Sequence, residues 1–348
     1  MRKRRIAVEL FLAGVLGAAF AAGASQADGI VWHESFEEAL GSAQTSHKPM
    51  VVCAFRGHSA AYKQMVATTF ASPEVIAASQ QFECFALDVT LPENEDLLGR
   101  LRLGPVEGEA LGLGEGEVGD VYGAYPITVF LDHEGTEHFR RHGSLPPTAF
   151  AGQLNKAHRL IECLAGVADT PNRARAHREL GRAYMEMDIQ EGDPYYEAVT
   201  KHLERAIELD PDNVTGANFD ARVDLTIFRI PNAPEEAFAR LFELQSDASA
   251  HERRFEIQYY LAVAQCAMGN AKLIAAEEAL GEGQELSEQQ TANIPRPFFA
   301  AAAEMLMPFY TDDERSPYYG NEWTPEALAL LYQLRPDLKQ LTPHRAAP

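Results

Sequence analysis

Four cysteines, Cys53, Cys84, Cys163 and Cys266, are the residues of this chain best suited to redox chemistry. No two of them form a Cys-x-x-Cys, and none joins a cluster with zinc-ligand spacing. In an oxidising compartment one pair is available to bridge. Cys53 lies inside the continuously apolar run Met50-Val51-Val52-Cys53-Ala54-Phe55. A thiol there is a small core residue with a raised pKa, not a nucleophile. Ser59, next to His58, is an alternative nucleophile only with a base and an oxyanion site beside it. Adjacent side chains rarely face each other, and a serine at the start of a helix is a good cap, so capping is the expected role. His58, His133, His138 and His142 form no i, i+4 ligand pair on a helix, and exposed turn histidines explain them as well as a metal does. Glu107, Glu109, Glu115, Glu117 and Asp120 do not follow the calcium-loop spacing. These residues assign no catalytic group, no metal and no cofactor.

The elements that position these residues come in two stretches. The chain has 348 residues, too many for one ordinary core and enough for two domains. Met1-Arg2-Lys3-Arg4-Arg5 is a basic start, and Ile6 to Ala24 is mostly apolar and ends in small residues. This reads as a secretory signal over 1–27, so the protein is expected to be exported to the periplasm or cell envelope. An uncleaved segment would instead act as a membrane anchor. The formal net charge of −21 repels nucleic-acid phosphates, so a nucleic-acid partner is not expected. Neither the oligomeric state nor the identity of a partner is legible.

From Ile30 to about Ala165 the pattern alternates. A short strand at Ile30-Val31-Trp32 precedes a helix that begins with the capping-box sequence Ser35-Phe36-Glu37-Glu38. Met50–Phe55 reads as a strand covered on both faces. Helical spacing follows from Tyr62 to Phe70, and Ser72-Pro73 opens a further helical turn. Phe82–Val89 is a second buried strand. Residues 104–120 are rich in Gly and Glu and read as a flexible insert. Tyr125-Pro126-Ile127-Thr128-Val129-Phe130-Leu131-Asp132, the turn at His133-Glu134-Gly135 and Glu137–Arg141 form a hairpin, and a helix starts near Thr148. The expected fold is a three-layer α/β unit over residues 28–168, with parallel strands joined by helical crossovers and an antiparallel hairpin closing the sheet.

This region resembles an exported thioredoxin-like domain. The resemblance rests on Lys48-Pro49, on Phe55 with Lys63 and Met65 behind it, and on Phe70-Ala71-Ser72-Pro73-Glu74-Val75. It also rests on Leu87-Asp88-Val89 and on Tyr125-Pro126-Ile127-Thr128-Val129-Phe130-Leu131-Asp132-His133-Glu134-Gly135. In such domains a Trp-Cys-x-x-Cys-Lys segment follows the second strand. Aligned on Lys63, His58 stands at the Trp, Ser59 at the first Cys and Tyr62 at the second. The resemblance also implies a cis peptide before Pro126. A dithiol exchanger needs a thiolate at a helix N-terminus and a second thiol to resolve the mixed disulfide; an alcohol and a phenol supply neither. What the resemblance leaves is a groove bounded by His58, Ser59, Tyr62, Tyr125 and Pro126, able to take an extended peptide by main-chain pairing. An idle groove on a pure scaffold is the competing reading.

From about Pro171 the pattern is helical. Leu180-Gly181-x-x-Tyr184 and Ala198 to Pro211 resemble a tetratricopeptide repeat, with extra residues between its two helices. Further helices are expected at about 215–228, 234–246, 252–268, 271–286, 296–309 and 324–334. Ala262, Ala264, Ala267 and Gly269 permit close helix approach. An all-α, tetratricopeptide-like domain is expected over 169–340, with a disordered tail at 341–348. The functional expectation is a redox-inactive protein- or peptide-binding module or scaffold. The alternative is a thiol-disulfide oxidoreductase, or another enzyme with an unusual site.

Overall fold

The fold is taken from a computed structural model, which describes residues 29–57, 59–103, 125–187, 189, 193–247, 251–280, 284–311 and 315–341. Residues 1–27, expected to be a secretory signal, His58, the expected insert 104–120 and residues 342–348 lie outside the described residues. The chain divides into two compact units. One is Met1–Thr170 with Glu186–Asp188, and the other is Pro171–Met185 with Ile189–Pro348.

In the first unit the apolar run Met50–Phe55 becomes strand β2, with every residue buried. It sits at the centre of a five-stranded mixed sheet of order β1-β3-β2-β4-β5. Here β1 is Trp32–His33, β3 is Glu83–Asp88, β4 is Ile127–Leu131 and β5 is Glu137–His142. β3 runs parallel to both β1 and β2, whereas β4 is antiparallel to β2 and to β5. The mixed sheet with its closing hairpin follows the expectation from pattern.

Alternation along β2 explains why the run is apolar throughout. Met50, Val52 and Ala54 join a core with Phe36, Ala39 and Ala43 of helix α1 (Phe36–Ser46). Val51, Cys53 and Phe55 therefore point to the opposite face. That face carries helices α2 (Ala60–Ala67), α3 (Pro73–Ser79) and α5 (Pro147–Asp169). Rings interlock there, with Phe70 edge-on to Phe150 and Phe82 tilted against Phe130. At the start of α1 the Ser35 hydroxyl accepts the Glu38 N–H at 3.1 Å. The Glu38 carboxylate turns back to the N–H of Glu34 at 3.0 Å, one residue earlier than the standard reciprocal bond. Helix α4 (Glu95–Arg100) was not legible in the sequence. It leads into Leu101 and Leu103, which are buried in the α1-side core.

The second unit is helical. It contains α6 (Ala174–Met185), α7 (Tyr196–Leu209), α8 (Ala217–Arg229), α9 (Pro234–Asp247) and α10 (Arg254–Glu278), followed by α11 (Glu288–Asn293), α12 (Arg296–Leu306), α13 (Thr324–Leu334) and α14 (Pro336–Leu341). Successive helices pack on one another, α6 on α7, α7 on α8 and α9 on α10, and α10 then packs on α12. The expected break between 268 and 271 is absent, because α10 runs unbroken from Arg254 to Glu278. Gly269 marks a close approach of α12 to α10, the role expected of it. A Cβ there would meet Cβ of Phe298 at 3.1 Å and the Phe299 ring at 3.3 Å. Gly181 does the same for α6 and α7, where a Cβ would fall 2.7 Å from the Leu203 side chain.

A buried charge network ties three of these helices together. Asp224 on α8 accepts from Arg253 Nη2 at 2.5 Å, Arg178 Nε on α6 at 2.8 Å and Arg182 Nη1 at 3.3 Å. Arg253 Nε also donates to Glu256 on α10 at 2.5 Å, and its Nη1 to the Asp220 carbonyl at 2.8 Å. Burial disfavours the Arg253 charge, but the hydrogen bonds and charges of Glu256 and Asp224 outweigh it and hold the guanidinium above its ordinary pKa. Removing one partner of such a set strands the others in low dielectric. Arg253→Met is therefore expected to lower unfolding free energy by about 3–5 kcal/mol in urea titration; a loss below about 1 kcal/mol would contradict a structural role for the network.

Candidate functional site

The chain leaves β2 at Phe55, and sheet register sets what lies beside that exit. Ala54 pairs with Ile127, so Phe55 and Pro126 are the next residues out on adjacent strands. The Tyr125–Pro126 peptide is cis, the isomer that the resemblance implies. The loop to α2 and the Tyr125-Pro126 corner thus share one end of the sheet. His142, paired with Ile127, is at this end as well.

The loop is held by Asp88 at the end of β3. Its Oδ1 accepts the Gly57 N–H at 3.2 Å, the Thr90 N–H at 3.0 Å and the Thr90 hydroxyl at 2.7 Å. A Cβ on Gly57 would fall 2.2 Å from Asp88 Oδ2, so only glycine lets the loop approach this closely. Asp88 was read only as part of the Leu87-Asp88-Val89 match, and Gly57 was given no role. A glycine two residues after a buried strand was the available signal for Gly57.

Ser59 is the N-cap of α2. Its backbone is extended and its Oγ accepts the Tyr62 N–H at 3.2 Å. Its own N–H donates to the Arg56 carbonyl at 2.8 Å. Tyr62 is 5% exposed. Its ring lies parallel to Phe55, 2° between planes and 3.5 Å between centroids, and edge-on to Phe70 at 6.5 Å. Burial, with Cys53 and Asp88 nearby, pushes its phenol well above the ordinary value. At neutral pH it is an uncharged core aromatic. Tyr125 is half-buried against the α1-side core, and its hydroxyl donates to the Leu103 carbonyl at 2.5 Å. The Pro126 carbonyl accepts the Gly143 N–H at 2.8 Å. The structure therefore brings Ser59, Tyr62, Tyr125 and Pro126 to one end of the sheet, with the two aromatic rings turned inward. His58, the remaining groove candidate, is outside the described residues.

The thiols sit deeper. Burial pushes Cys53 up to about 12, only partly offset by a hydrogen bond with Thr128, its cross-strand neighbour on β4. Burial also raises Cys84 well above its ordinary value, and nearby Cys53 and Glu83 raise it further, with Lys48 opposing. Cys266 is raised by burial to about 11. The histidines of the hairpin are split between its ends. His133 touches His47, with centroids 5.4 Å apart, and His138 Nε2 lies 2.8 Å from Asp132 Oδ2. Among the described residues no three His, Cys, Asp or Glu side chains converge as metal ligands.

A histidine pair in the helical unit went unnoticed in the sequence because its members are 25 residues apart. Nδ1 of His177 on α6 and Nδ1 of His202 on α7 lie 3.0 Å apart. His177 Nε2 lies 2.9 Å from the Pro171 carbonyl, which can only accept. That fixes the His177 proton on Nε2, so His202 Nδ1–H donates to His177 Nδ1. Tyr184 stacks on His202. Burial, then the neighbouring His177 and Lys201, press the His202 pKa down to about 4.

Comparison of the sequence with protein-family models finds no match, and comparison with curated proteins finds no related sequence.

The His202 shift has a defined sign. The unfolded imidazole titrates near 6.5 and the folded one near 4. Between these values the unfolded chain binds the extra proton, so stability is complete above about 6.5 and falls as pH drops toward 4. His202→Gln is expected to flatten that part of the stability–pH curve, measured by thermal unfolding in buffers from pH 7 to 4; an unchanged slope would contradict the buried neutral imidazole.

Proposed function

We propose that this protein is a redox-inactive, thioredoxin-like module of the cell envelope, joined to a tetratricopeptide-like helical region, that works by holding a protein or peptide partner. One observation carries the reading. At the two places where a dithiol exchanger keeps its sulfurs, Ser59 spends its hydroxyl on the helix N-terminus and Tyr62 is stacked on Phe55 as core.

The strand order, the helices on both faces and the cis peptide before β4 support the thioredoxin-like assignment. The α6–α7 pair, with Gly181 against Leu203, supports the tetratricopeptide-like one. The basic, then apolar N-terminus supports export. In this reading a peptide is held at the sheet end bounded by Ser59 and the Tyr125-Pro126 corner. Tyr62 closes the floor beneath it and does not reach the partner.

Two measurements test the reading together. In a dithiothreitol-driven insulin reduction assay the mature protein is expected to add nothing to the background rate. Turnover at ordinary oxidoreductase rates would favour the enzymatic alternative. Ser59→Cys is expected to place a half-buried thiol at the N-terminus of α2, with a pKa below the unperturbed value of about 8.5. The pH dependence of its alkylation by iodoacetamide reads that pKa, and a value at or above 8.5 would contradict the helix-terminal placement.

A further inference from the structure

The face between α8 and α9 carries a feature at odds with the rest of this acidic chain. Arg222, Leu225 and Arg229 recur at i, i+3 and i+7 along α8, and Ala237, Arg240 and Leu244 at i, i+3 and i+7 along α9. All six line one pocket of about 180 Å³ between the two helices. Leu225, Ala237 and Leu244 are buried and form an apolar floor. Arg222, Arg229 and Arg240 line it as well, and among the described residues Glu236 is the one acidic residue in the lining.

The arginines are loosely engaged. Arg229 meets Glu204 at 3.4 Å and Arg240 meets Glu243 at 3.0 Å, in pairs whose four side chains are all at least 42% exposed. Such pairs contribute little and exchange readily with solvent or with a competing anion. Arg222 is exposed and has no carboxylate within 4 Å among the described residues. Three planar, permanently charged forks around one cavity are the donor set that binds an oxyanion at two points per group.

The chain carries 51 Asp and Glu against 30 Lys and Arg, so its overall field repels acidic ligands. A cluster of three arginines over an apolar floor works against that field locally. The pocket is smaller than the range of about 300–1,000 Å³ that encloses a whole small-molecule ligand. It suits a single side chain: a carboxylate among the guanidiniums with its methylenes on Leu225 and Leu244.

We propose that the α8–α9 pocket is a docking site for an acidic peptide segment of a partner protein, which inserts a glutamate or aspartate side chain between Arg222, Arg229 and Arg240. The site belongs wholly to the helical unit, so it stands or falls apart from the redox-inactive reading of the first unit.

The test is fluorescence anisotropy with the full mature chain and a fluorescein-labelled hexaglutamate peptide, with hexaglutamine as the neutral counterpart. Hexaglutamate is expected to bind and hexaglutamine not to, with affinity falling as salt is raised. Arg222→Ala combined with Arg240→Ala, both at exposed positions, is expected to weaken binding about tenfold or more. Arg175→Ala, an exposed arginine on α6 outside the pocket, is expected to leave it unchanged. Equal binding of the two peptides, equal loss in the Arg175 variant, or binding of a phosphoserine peptide with hexaglutamate silent would each overturn the proposal.

Discussion

The parallel stack of Tyr62 on Phe55 is the contact on which the candidate site depends. Phe55 is the last residue of the central strand, and Tyr62 lies in the first turn of the helix that follows. Their contact sets where the intervening loop runs. An aromatic pair of this kind adds about 0.5–1.5 kcal/mol to what burial alone contributes. Its larger consequence is chemical. A ring occupies the volume beneath the helix N-terminus, and the helix start itself is satisfied by the Ser59 hydroxyl. The positive end of the helix thus acts on a neutral alcohol, which it cannot convert into a nucleophile. Asp88 and Gly57 complete the arrangement from the other side, fastening the loop to the end of β3.

The helical unit solves a different problem. Its elements are modest amphipathic helices, and small residues let them approach closely at Gly181 and Gly269. Between α6, α8 and α10 the contact is ionic, with Arg253 and Asp224 at its centre. Buried ion pairs are weak contributors to net stability, but they penalise any packing that leaves one member unmatched. That gives this unit a register which apolar packing alone would not impose. The His177–His202 pair adds a second polar lock, between α6 and α7, that holds as long as one imidazole stays neutral.

Much of the α/β unit was legible in the sequence, for a simple reason. Met50–Phe55 and Ile127–Leu131 are buried on both faces, so they are apolar at every position, and the hairpin turn carries Gly135 in a left-handed conformation. The role of Ser59 was legible too, because capping depends only on local spacing. Other features depend on partners far along the chain. α4 was missed because its short helix owes its place to Leu101 and Leu103 beyond it. α10 was expected to break between 268 and 271, and the structure carries it through Gly269. The close helix approach expected at Gly269 is there, but its partners, Phe298 and Phe299, lie far along the chain and no local pattern names them. The Asp224 network, the histidine pair and the arginine pocket were invisible for the same reason. The inward turn of Tyr62 was the main surprise at the site, since its position suggested a groove wall.

The central claim is that the groups at the sheet end after β2 are unreactive, with Tyr62 stacked on Phe55 as core and the Ser59 hydroxyl capping α2. Native-state labelling of Cys53 and Cys84 by a small maleimide tests it most directly, because both thiols lie on the strands that lead to that end. The account requires that neither is modified faster than the protein globally unfolds, with both reacting fully in denaturant. Labelling of Cys53 within seconds under native conditions, at a rate independent of global stability, would mean that the Tyr62–Phe55 stack opens and that a usable thiol lies behind it.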